Sequence, residues 1–576
     1  MDAETPGPPG RTATPTPTRN ASLPFRLGGF ANLCEALDYA AGGETGLNFY
    51  DSRGHLLDSL SYGELRRRAQ SFARRLIVAG VEPGERLVLV ADTSPGFCTA
   101  FFGAQYAGVL AVPVSVPVGL GAGPGYTSQL RRLIVSAGAI GIVTSDELAR
   151  YAEAAAEGSG ARFAGSMARF EALPDRPVDL RPFPADGHCY VQFSSGSTRA
   201  PLGVDIRQDR LMANIDASIA RQELGPADSG VSWLPLYHDM GLIGFVLAPM
   251  CAQRTVDLMA PHDFARRPLQ WLSLISRRRA TITYSPSFGY ELVARRARAG
   301  LPGDLDLACL QIAGIGADMI QPAVLRGFAE TFAAAGFDPR AFLASYGMAE
   351  VCVGLSIGRR FAGVSVDAGV APCGGGERRE FAMCGKVLAG HRVEIRGEDG
   401  VPLADRKIGR LFAHGPSVMP GYFERPLETA NVLAAGWLDT GDLGYRHSGE
   451  LVITGRAKDL MIVNGRNIWP QDIEWAVEAL PRLRRGDACA FSLAAADGAS
   501  GGEEIVVLVQ SFAGDSAERD ELTGCVRLAV KEAVGVECRI ELISRRLGLP
   551  LTSSGKLSRS RAKADFIAGV YLARRA

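Results

Sequence analysis

The sequence has no excess of charge of either sign, no paired cysteine motif and no long apolar run. Lysine and arginine together number 62, and aspartate and glutamate together also number 62, so the formal net charge is zero. Nucleic-acid-binding chains normally carry a basic excess or a basic face, and we therefore expect no nucleic-acid partner. The 11 cysteines are odd in number and scattered without a C-x-x-C pair, which argues against a disulfide framework and against a zinc module.

Signals for secretion or membrane insertion are also missing. The first residues, M-D-A-E-T-P-G-P-P-G, lack the basic patch and the apolar segment of a secretory signal. No stretch approaches the roughly 20 consecutive apolar residues that a membrane-spanning helix requires. Together with the scattered cysteines, which suit a reducing compartment, these absences predict a cytoplasmic protein that is not an integral membrane protein.

The length and the apolar patterns predict a multidomain α/β protein. A chain of 576 residues is too long for one compact core. Residues 1–24 are rich in Pro, Thr and Gly, and this composition predicts a disordered tail. From residue 25 onward, strand-like runs alternate with helical patterns, which predicts a largely parallel sheet covered by helices. The alternation recurs from about 205 to 355, which predicts a second α/β layer.

Several elements have recognisable bounds. Ser61 and Glu64 form a capping box, which predicts the start of a helix. We predict strands at 86–90 and 110–114, with a helix at 95–107 between them. Short strands with Gly, Pro and Asp turns predict a β-rich, barrel-like subdomain at about 385–455. We predict a compact α+β unit after residue 457, with helices at 470–479 and 516–533 and strands at 488–493, 504–512 and 539–543. The predicted domains are therefore 25–456 and 457–576.

A hydroxyl-rich turn follows a strand-like run and has the composition of a phosphate-binding loop. Hydroxyls and backbone N–H groups around a glycine form a concave nest that binds anions. No lysine precedes the hydroxyls, so the turn is not a loop of the G-x-x-x-x-G-K-[ST] kind. A serine-rich solvent loop has the same composition. The turn consists of Ser194, Ser195, Gly196, Ser197 and Thr198.

Two further segments carry carboxylates next to glycines. The first is S-Y-G-M-A-E, in which Glu350 is a hard oxygen donor suited to Mg²⁺ and the glycine permits close approach to a flat ligand. The second is G-W-L-D-T-G-D-L-G, in which Asp442 offers a carboxylate for ribose hydroxyls. An isolated aspartate of this kind is also common in turns.

The last two segments carry basic residues. Arg456 and Lys458 lie in T-G-R-A-K-D, followed by N-G-R-N, and Lys556 lies in P-L-T-S-S-G-K-L-S-R close to the C-terminus. A lysine held by a Gly/Ser turn is a mobile positive charge. Taken alone, it is equally consistent with one more surface lysine.

These five segments, in this order and spacing, resemble the adenylate-forming superfamily of acyl-CoA synthetases, nonribosomal adenylation domains and luciferases. The resemblance covers roughly residues 25 to 570. Within the superfamily, the strongest likeness is to the fatty acyl-AMP ligases, because the first turn reads S-S-G-S-T-R-x-P-x-G-V and is followed by S-W-L-P-L-Y-H-D-M-G-L-I-G. The small-domain start G-R-N-I-W-P-Q-D-I-E is also similar to that branch.

The resemblance implies a function, its partners and a role for each motif. It implies ATP-dependent activation of a fatty acid to an acyl-adenylate with release of pyrophosphate, and then transfer to the phosphopantetheine thiol of an acyl carrier protein. ATP and Mg²⁺ are the implied cofactors. Lys556 would bridge the fatty carboxylate and the α-phosphate, and Lys458 would be the hinge, within 456–459. The remaining implied roles are phosphate binding by Ser194–Thr198, Mg²⁺ binding by Glu350, ribose binding by Asp442 and a ribose or phosphate contact by Arg456. The implied adenine site consists of Gly316, Ala317, Asp318, Tyr346 and Gly347, and Ser345, Met348 and Ala349 are further implied ATP/AMP-binding residues.

Three alternatives remain open at the level of sequence. His238 is either a structural side chain or, as the resemblance implies, part of the acyl pocket wall near the reacting carboxylate. The apolar residues around it suit an alkyl tunnel or ordinary core packing. The span 356–382 is shorter than the insertion that such ligases usually carry, so coenzyme A is a second candidate acceptor. The corresponding rival functions are an acyl- or aryl-CoA synthetase and, from another class, a catalytically silent nucleotide-binding homologue.

Overall fold

Two mostly parallel sheets form the first part of the chain. The structure, a computed structural model, describes residues 14–117, 124–193, 202–368, 380–463, 466–494, 503–511, 515–545, 547–552 and 556–571. The smaller sheet has six strands, of which only the last pair is antiparallel. In spatial order its strands are Phe163–Ser166, Gly141–Thr144, Arg86–Val90, Leu110–Val114, His188–Phe193 and Gly203–Arg207.

The larger sheet has nine strands and a parallel centre. In spatial order its strands are Lys386–Val387, Ser356–Ile357, Phe342–Tyr346, Ile312–Ile315, Ile282–Ser285, Gly230–Ser232, Val256–Met259, Gly46–Tyr50 and Leu56–Ser61. Helices cover both sheets, as the βα alternation predicts. They are Leu33–Ala40, Tyr62–Val78, Pro95–Ala107, Pro124–Ala137, Ala149–Ala156, Met167–Glu171, Gln208–Arg221, Asp239–Leu242, Ala248–Cys251, Pro261–Arg266, Leu269–Arg278, Ser287–Ala297 and Pro322–Phe332.

An antiparallel sheet and a separate C-terminal unit complete the fold. The antiparallel sheet contains Arg392–Arg396, Gly409–His414, Leu433–Ala434, Trp437–His447 and Glu450–Arg456, with the helix Pro426–Ala430 beside it. The C-terminal unit contains the strands Met461–Val463, Arg466–Ile468, Ala488–Ala494, Glu503–Ser511 and Arg539–Ser544 and the helices Pro470–Glu478, Ser516–Val534 and Arg559–Ile567. The predicted α/β class, with a β-rich subdomain and an α+β C-terminal unit, is confirmed.

Local signals account for several bounds. The amide of Glu64 donates to the hydroxyl of Ser61 at 3.2 Å, so the predicted helix cap is present. Helix Pro95–Ala107 ends at Gly108, whose left-handed φ of 68° closes the helix without a side-chain clash. Within the described residues, no helix is both long and apolar enough to cross a membrane.

The prediction of a disordered tail is wrong for residues 14–24. Thr16 is buried, and both its amide and its hydroxyl donate to the side-chain oxygen of Asn48, at 2.8 and 3.2 Å. The guanidinium of Arg278 donates to the Thr16 carbonyl, and the hydroxyl of Thr255 donates to the carbonyl of Pro17. The low apolar content of this segment predicted no ordered structure. Hydrogen bonds to the larger sheet order it instead. Residues 1–13 lie outside the described residues.

Candidate active site

A cavity of about 1200 Å³ lies where the larger sheet, the smaller sheet, the antiparallel sheet and the C-terminal unit meet. In parallel sheets, loops at the carboxyl ends of the strands form the usual ligand site. Here strand Ile312–Ile315 leads to Asp318, and strand Phe342–Tyr346 leads to Glu350. The cavity therefore has the position expected for a site built on this fold.

One wall of the cavity carries a tyrosine, a carboxylate and an arginine in contact. The Tyr346 hydroxyl donates to Asp442 Oδ2 at 2.6 Å, and Arg456 Nε lies 3.5 Å from Asp442 Oδ1. Asp442 and Arg456 are paired across adjacent antiparallel strands. Burial raises the pKa of Asp442, and Arg456 opposes that shift. The carboxylate retains free lone pairs for further hydrogen-bond donors.

Glu350 presents a second carboxylate to the cavity. Its Oε1 accepts a hydrogen bond from the Tyr422 hydroxyl at 3.0 Å, and withdrawal from water raises its pKa. Among the described residues, no lysine or arginine lies within ion-pair distance of it. Such a group is suited to a hard cation that arrives with a ligand.

Lys556 enters the cavity from the C-terminal unit. Its backbone amide donates to the Thr552 hydroxyl at 3.2 Å, and the Thr552 amide donates to the Lys556 carbonyl at 2.7 Å. These bonds close a turn whose tip, residues 553–555, lies outside the described residues. Burial lowers the pKa of the Lys556 ammonium, while the carboxylates of Asp318 and Asp239 oppose that shift. The predicted lysine therefore does reach the cleft.

A partly buried arginine connects this turn to the segment that joins the two parts of the chain. Arg559 donates to both carboxylate oxygens of Glu474, at 2.8 and 2.6 Å, and to Asp459 at 3.0 Å. Bidentate pairs of this kind fix orientation as well as distance. Arg559 thereby links the turn that carries Lys556 to residues 457–459, which form a short 3₁₀ turn.

His238 and Asp239 form a contacting pair on the cavity wall. The Nδ1 atom of His238 lies 2.6 Å from Asp239 Oδ1. Burial would raise the pKa of Asp239, but the neighbouring His238 and Lys556 lower it below its ordinary value. The Asp239 carboxylate therefore interacts favourably with the charge of Lys556.

A salt bridge joins the C-terminal unit to the larger sheet's helices. Arg485 lies 3.5 Å from Asp318 and 3.4 Å from Glu291. Asp318 also accepts hydrogen bonds from the amide and the hydroxyl of Ser287, at 3.3 and 3.1 Å. Arg485 and Lys556 therefore approach the same aspartate from one domain.

The glycines of the predicted adenine site serve backbone packing. A Cβ at Gly347 would lie 1.8 Å from the carbonyl oxygen of Val353, and one at Gly316 would lie 2.8 Å from that of Ser345. The close approach that Gly347 permits is thus to the chain itself, not only to a ligand. Gly316 does not line the cavity, whereas Ala317, with a φ of 69°, does.

The remaining predicted site residues fall into two groups. Those that line the cavity are Ser345, Met348, Ala349 and Lys458. Those that lie outside the described residues are Ser194, Ser195, Gly196, Ser197 and Thr198.

An apolar arm extends the cavity away from this polar region. We use this name for the part between helix Gln208–Arg221 and the helical segment 239–251. The middle of that segment, Ile243–Leu247, is a π-helix, a widened turn that often occurs at functional sites. Gly244 lies on the arm, and a Cβ added there would meet no atom within 4 Å. Of the apolar residues predicted to form either a tunnel or a core, some line the cavity and others pack in the core.

Sequence reasoning missed two charged residues of this site. Asp239 directly follows His238, but its burial beside Lys556 depends on how the loop turns. Arg485 lies in the basic run R-L-R-R-G, where nothing distinguishes it from its neighbours. Tyr422, which contacts Glu350, had no local signal either.

Comparison with known proteins agrees with this arrangement. Residues 49–423 match the family described as AMP-binding enzyme. The chain is 46% identical over 573 residues to a Caulobacter vibrioides protein provisionally described as an acyl-CoA synthetase, covering 96% of this chain and 98% of that protein. It is 30% identical over 588 residues to the long-chain-fatty-acid–AMP ligase FadD32 of Mycolicibacterium smegmatis, covering 91% of each.

A solved structure extends the likeness to the whole fold. It comes from a study of fatty acyl-adenylate ligases of E. coli and L. pneumophila, and it matches with a TM-score of 0.88 at 41% identity. The match covers 95% of this chain and 100% of the solved chain. Because the family match spans more than half of the sequence and the site lies where the fold predicts, the chain belongs to the AMP-binding enzyme family.

Proposed function

We propose that this protein is a fatty acyl-AMP ligase, which joins a fatty acid to AMP and then passes the acyl group to a carrier-protein thiol. The observation that supports this proposal most directly is the position of Lys556. It lies among carboxylates in a cavity that continues into the apolar arm. A nucleotide and a long-chain acid need such a site, because their two anionic groups must meet there.

The polar residues of the cavity supply a place for each part of ATP. Asp442 would accept the ribose hydroxyls, and Ala317, Asp318 and Tyr346 would line the adenine. Arg456 would contact the ribose or the phosphates. The hydroxyl-rich turn Ser194–Thr198 would wrap the phosphates, as its composition predicts.

The residues present fit a magnesium ion bound together with the nucleotide. Glu350 offers a carboxylate that has no cationic side-chain partner among the described residues and that faces the cavity. Magnesium in nucleotide sites is usually held by one or two carboxylates, phosphates and water. The ion would supply charge neutralisation of the phosphates, and Glu350 is the residue that would hold it.

Lys556 would act where the two anions meet. A carboxylate oxygen of the acid attacks the α-phosphorus, the bond to the bridging oxygen breaks, and pyrophosphate leaves. Lys556 would offset the repulsion between the carboxylate and the α-phosphate. Such preorganised charge is worth most in a water-excluded site. In the second step a thiolate attacks the acyl carbon and AMP leaves.

The apolar arm supports a fatty acid as the substrate. Burial of each methylene is worth about 0.8 kcal/mol, so a long apolar channel binds an alkyl chain without polar contacts. Relatives described as long-chain-fatty-acid–AMP ligase and fatty acyl-adenylate ligase point to the same substrate class.

We also propose a large domain over residues 25–456 and a small domain over 457–576, with a hinge at 456–459. The proposal is supported by the position of the 3₁₀ turn Ala457–Asp459 between the antiparallel sheet and the C-terminal unit. Closure presents Lys556, and reopening would admit the thiol, since hinges absorb large changes in a few residues.

A pyrophosphate-release assay with a series of fatty acids tests the first step. The second is tested by mass spectrometry of a phosphopantetheinylated acyl carrier protein incubated with enzyme, ATP and acid. We expect acid-dependent pyrophosphate and an acylated carrier. Absence of pyrophosphate with every acid would instead support a silent nucleotide-binding homologue.

Coenzyme A is the second candidate acceptor. It is favoured by the short span 356–382 and by the relative provisionally described as an acyl-CoA synthetase. Parallel assays with coenzyme A and with the carrier protein, at equal thiol concentration, decide between them. Faster acylation of coenzyme A would assign the chain to the CoA synthetases.

A further inference from the structure

The apolar arm runs along the larger sheet from the carboxyl ends of its parallel strands to their amino ends, where polar side chains surround it. The candidate active site lies at the carboxyl ends of the parallel strands, whereas Asp228, Ser229 and Arg254 directly precede strands Gly230–Ser232 and Val256–Met259. Both ends line the same cavity. A strand of four residues is about 13 Å long, so the far end lies well away from Lys556.

Arg254 is a buried cation at this far end. It is 4% exposed, its Nε donates to the Ala252 carbonyl at 2.9 Å, and its Nη1 donates to the Pro226 carbonyl. The guanidinium carbon lies 5.0 Å from the centroid of the Phe25 ring. Among the described residues, no carboxylate lies within ion-pair distance of Arg254 and its Nη2 has no hydrogen-bond acceptor. Buried charges normally have such a partner.

The nearby carboxylate is already occupied. Asp228 accepts two hydrogen bonds from Arg360, each of 2.8 Å, and further bonds from the Thr281 hydroxyl and the Gly225 amide. Asp228 is therefore engaged by Arg360 and forms no ion pair with Arg254. The Nη2 group of Arg254 thus remains available to a ligand oxygen that accepts hydrogen bonds.

Helix Gln208–Arg221 presents a second polar group that has no hydrogen-bond partner within the described residues. The Ser218 hydroxyl is buried, lines the cavity and has no hydrogen bond within the described residues. One turn further, Gln222 accepts from the Tyr284 hydroxyl at 3.1 Å and donates to the Ser218 carbonyl at 3.2 Å. A purely alkyl chain would leave the Ser218 hydroxyl and the Arg254 Nη2 group without hydrogen bonds, which is costly.

We propose that the distal end of the apolar arm is a binding site for an oxygen group at the far end of the acyl chain, a hydroxyl or a carboxylate, with Arg254 as its principal donor. This inference rests on the proposed fatty acid ligase function and adds a specificity to it. The acid is selected at both ends, by Lys556 at the reacting carboxylate and by Arg254 at the other.

The test measures kcat/KM for pyrophosphate release by the full chain. The substrates are octanoic, dodecanoic and hexadecanoic acids, each compared with its ω-hydroxy and its α,ω-dicarboxylic counterpart. At one length we expect an oxygenated acid to exceed the plain acid by about tenfold or more, the value of a hydrogen bond to a charged group. The better of the two counterparts identifies the oxygen group.

Substitutions of Arg254 and Ser218 test whether the preference arises at this end of the arm. Arg254→Met should abolish the preference, measured as the ratio of kcat/KM for the oxygenated acid to that for the plain acid of the same length, and Arg254→Lys should retain part of it. Arg267→Met, at an exposed arginine, is the matched control. Should Arg254→Met fail to fold, as judged by thermal unfolding, Ser218→Ala removes a second donor and should weaken the same preference.

Two results would overturn the inference. The first is that no oxygenated acid is preferred at any length although plain acids are activated, which leaves the proposed function intact. The second is an equal preference in the wild type and in both Arg254→Met and Ser218→Ala. Failure of every acid to release pyrophosphate would remove the proposed function and this inference with it.

Discussion

At the scale of single residues, the site depends on where charge is held. Lys556 is a cation with carboxylates around it, and Asp442 and Glu350 are carboxylates partly withdrawn from water. Each group is costly to bury alone, so their joint presence in one cavity favours a functional role over a packing role.

Replacing Lys556 with Ala should reduce the adenylation rate about a hundred- to thousandfold, because one preorganised charge at the reacting centre is lost. The fold should persist, since the turn is held by the Thr552 backbone and hydroxyl contacts. Pyrophosphate release and thermal unfolding measure the two effects. Lys531→Ala, at an exposed lysine, is the control, and retained pyrophosphate release in Lys556→Ala would contradict the assignment.

The pH dependence of adenylation should report the lowered pKa of Lys556. A lysine with a lowered pKa loses its charge at a lower pH than an exposed lysine does, so kcat/KM should fall as pH rises through that value. The kcat/KM profile reports groups of the free enzyme. Arginine stays charged throughout, so an active Lys556→Arg variant should lose the alkaline decline. An unchanged alkaline limb would assign it to another group.

At the scale of elements, a π-helix and a 3₁₀ turn border the cavity. The π-segment Ile243–Leu247 widens the helix beside the arm, and the 3₁₀ turn Ala457–Asp459 carries Lys458. That turn joins the antiparallel sheet to the C-terminal unit, which is the position that we propose for the hinge.

Gly244→Phe should shift the preferred substrate toward shorter acids, because the ring would occupy the open space beside Gly244. Each methylene excluded from the arm costs about 0.8 kcal/mol of binding. The ratio of kcat/KM for hexadecanoic to octanoic acid measures the effect. Gly327→Phe changes a helical glycine away from the cavity, also with open space at its Cβ, and should leave the ratio unchanged. An unaltered ratio in Gly244→Phe would exclude the arm as the acyl channel.

Lys458→Pro should slow transfer to the thiol more than adenylation. Proline fixes φ and removes an N–H, so the turn would be restricted while the closed arrangement remains accessible. We expect transfer to fall by about tenfold or more if domain rotation limits that step. Single-turnover assays separate the two steps, and Lys458→Ala, which keeps backbone freedom, distinguishes a hinge effect from loss of the charge. Equal loss of both steps would refute the hinge.

At the scale of the whole molecule, the domain arrangement is stabilised by an ion pair between its two parts. Arg485 of the C-terminal unit reaches Asp318 and Glu291, which lie on the larger sheet's side of the cavity. This contact holds the C-terminal unit in the orientation in which Lys556 lines the cavity.

Arg485→Ala should lower kcat/KM for adenylation severalfold without slowing thiol transfer, because it destabilises only the closed arrangement. The effect is modest, since a partly exposed pair contributes about 0.2–1 kcal/mol. Stopped-flow measurement of each step provides the comparison. Arg482→Ala, whose partner Glu521 lies within the same unit, should affect neither step. A matching loss in both steps would mean that Arg485 serves stability alone.

The sequence by itself determined the elements and the chemistry. The capping box at Ser61 and the alternating apolar runs are local properties, so they predicted the α/β class. The order of the five motifs carried the family resemblance, and of the residues it implied, Glu350, Asp442 and Lys556 line the cavity. Local patterns failed at the N-terminal segment, where Thr16 is ordered by a partner on a distant strand.

Only the tertiary structure decided which side chains meet. The contact of Arg485 with Asp318, the enclosure of Lys556 beside Asp239, and the placement of Arg254 at the end of the apolar arm join residues that are distant in the chain. Such contacts arise from the packing of whole domains, which buries some charges and exposes others. No periodicity or spacing in the sequence encodes that choice for any single residue.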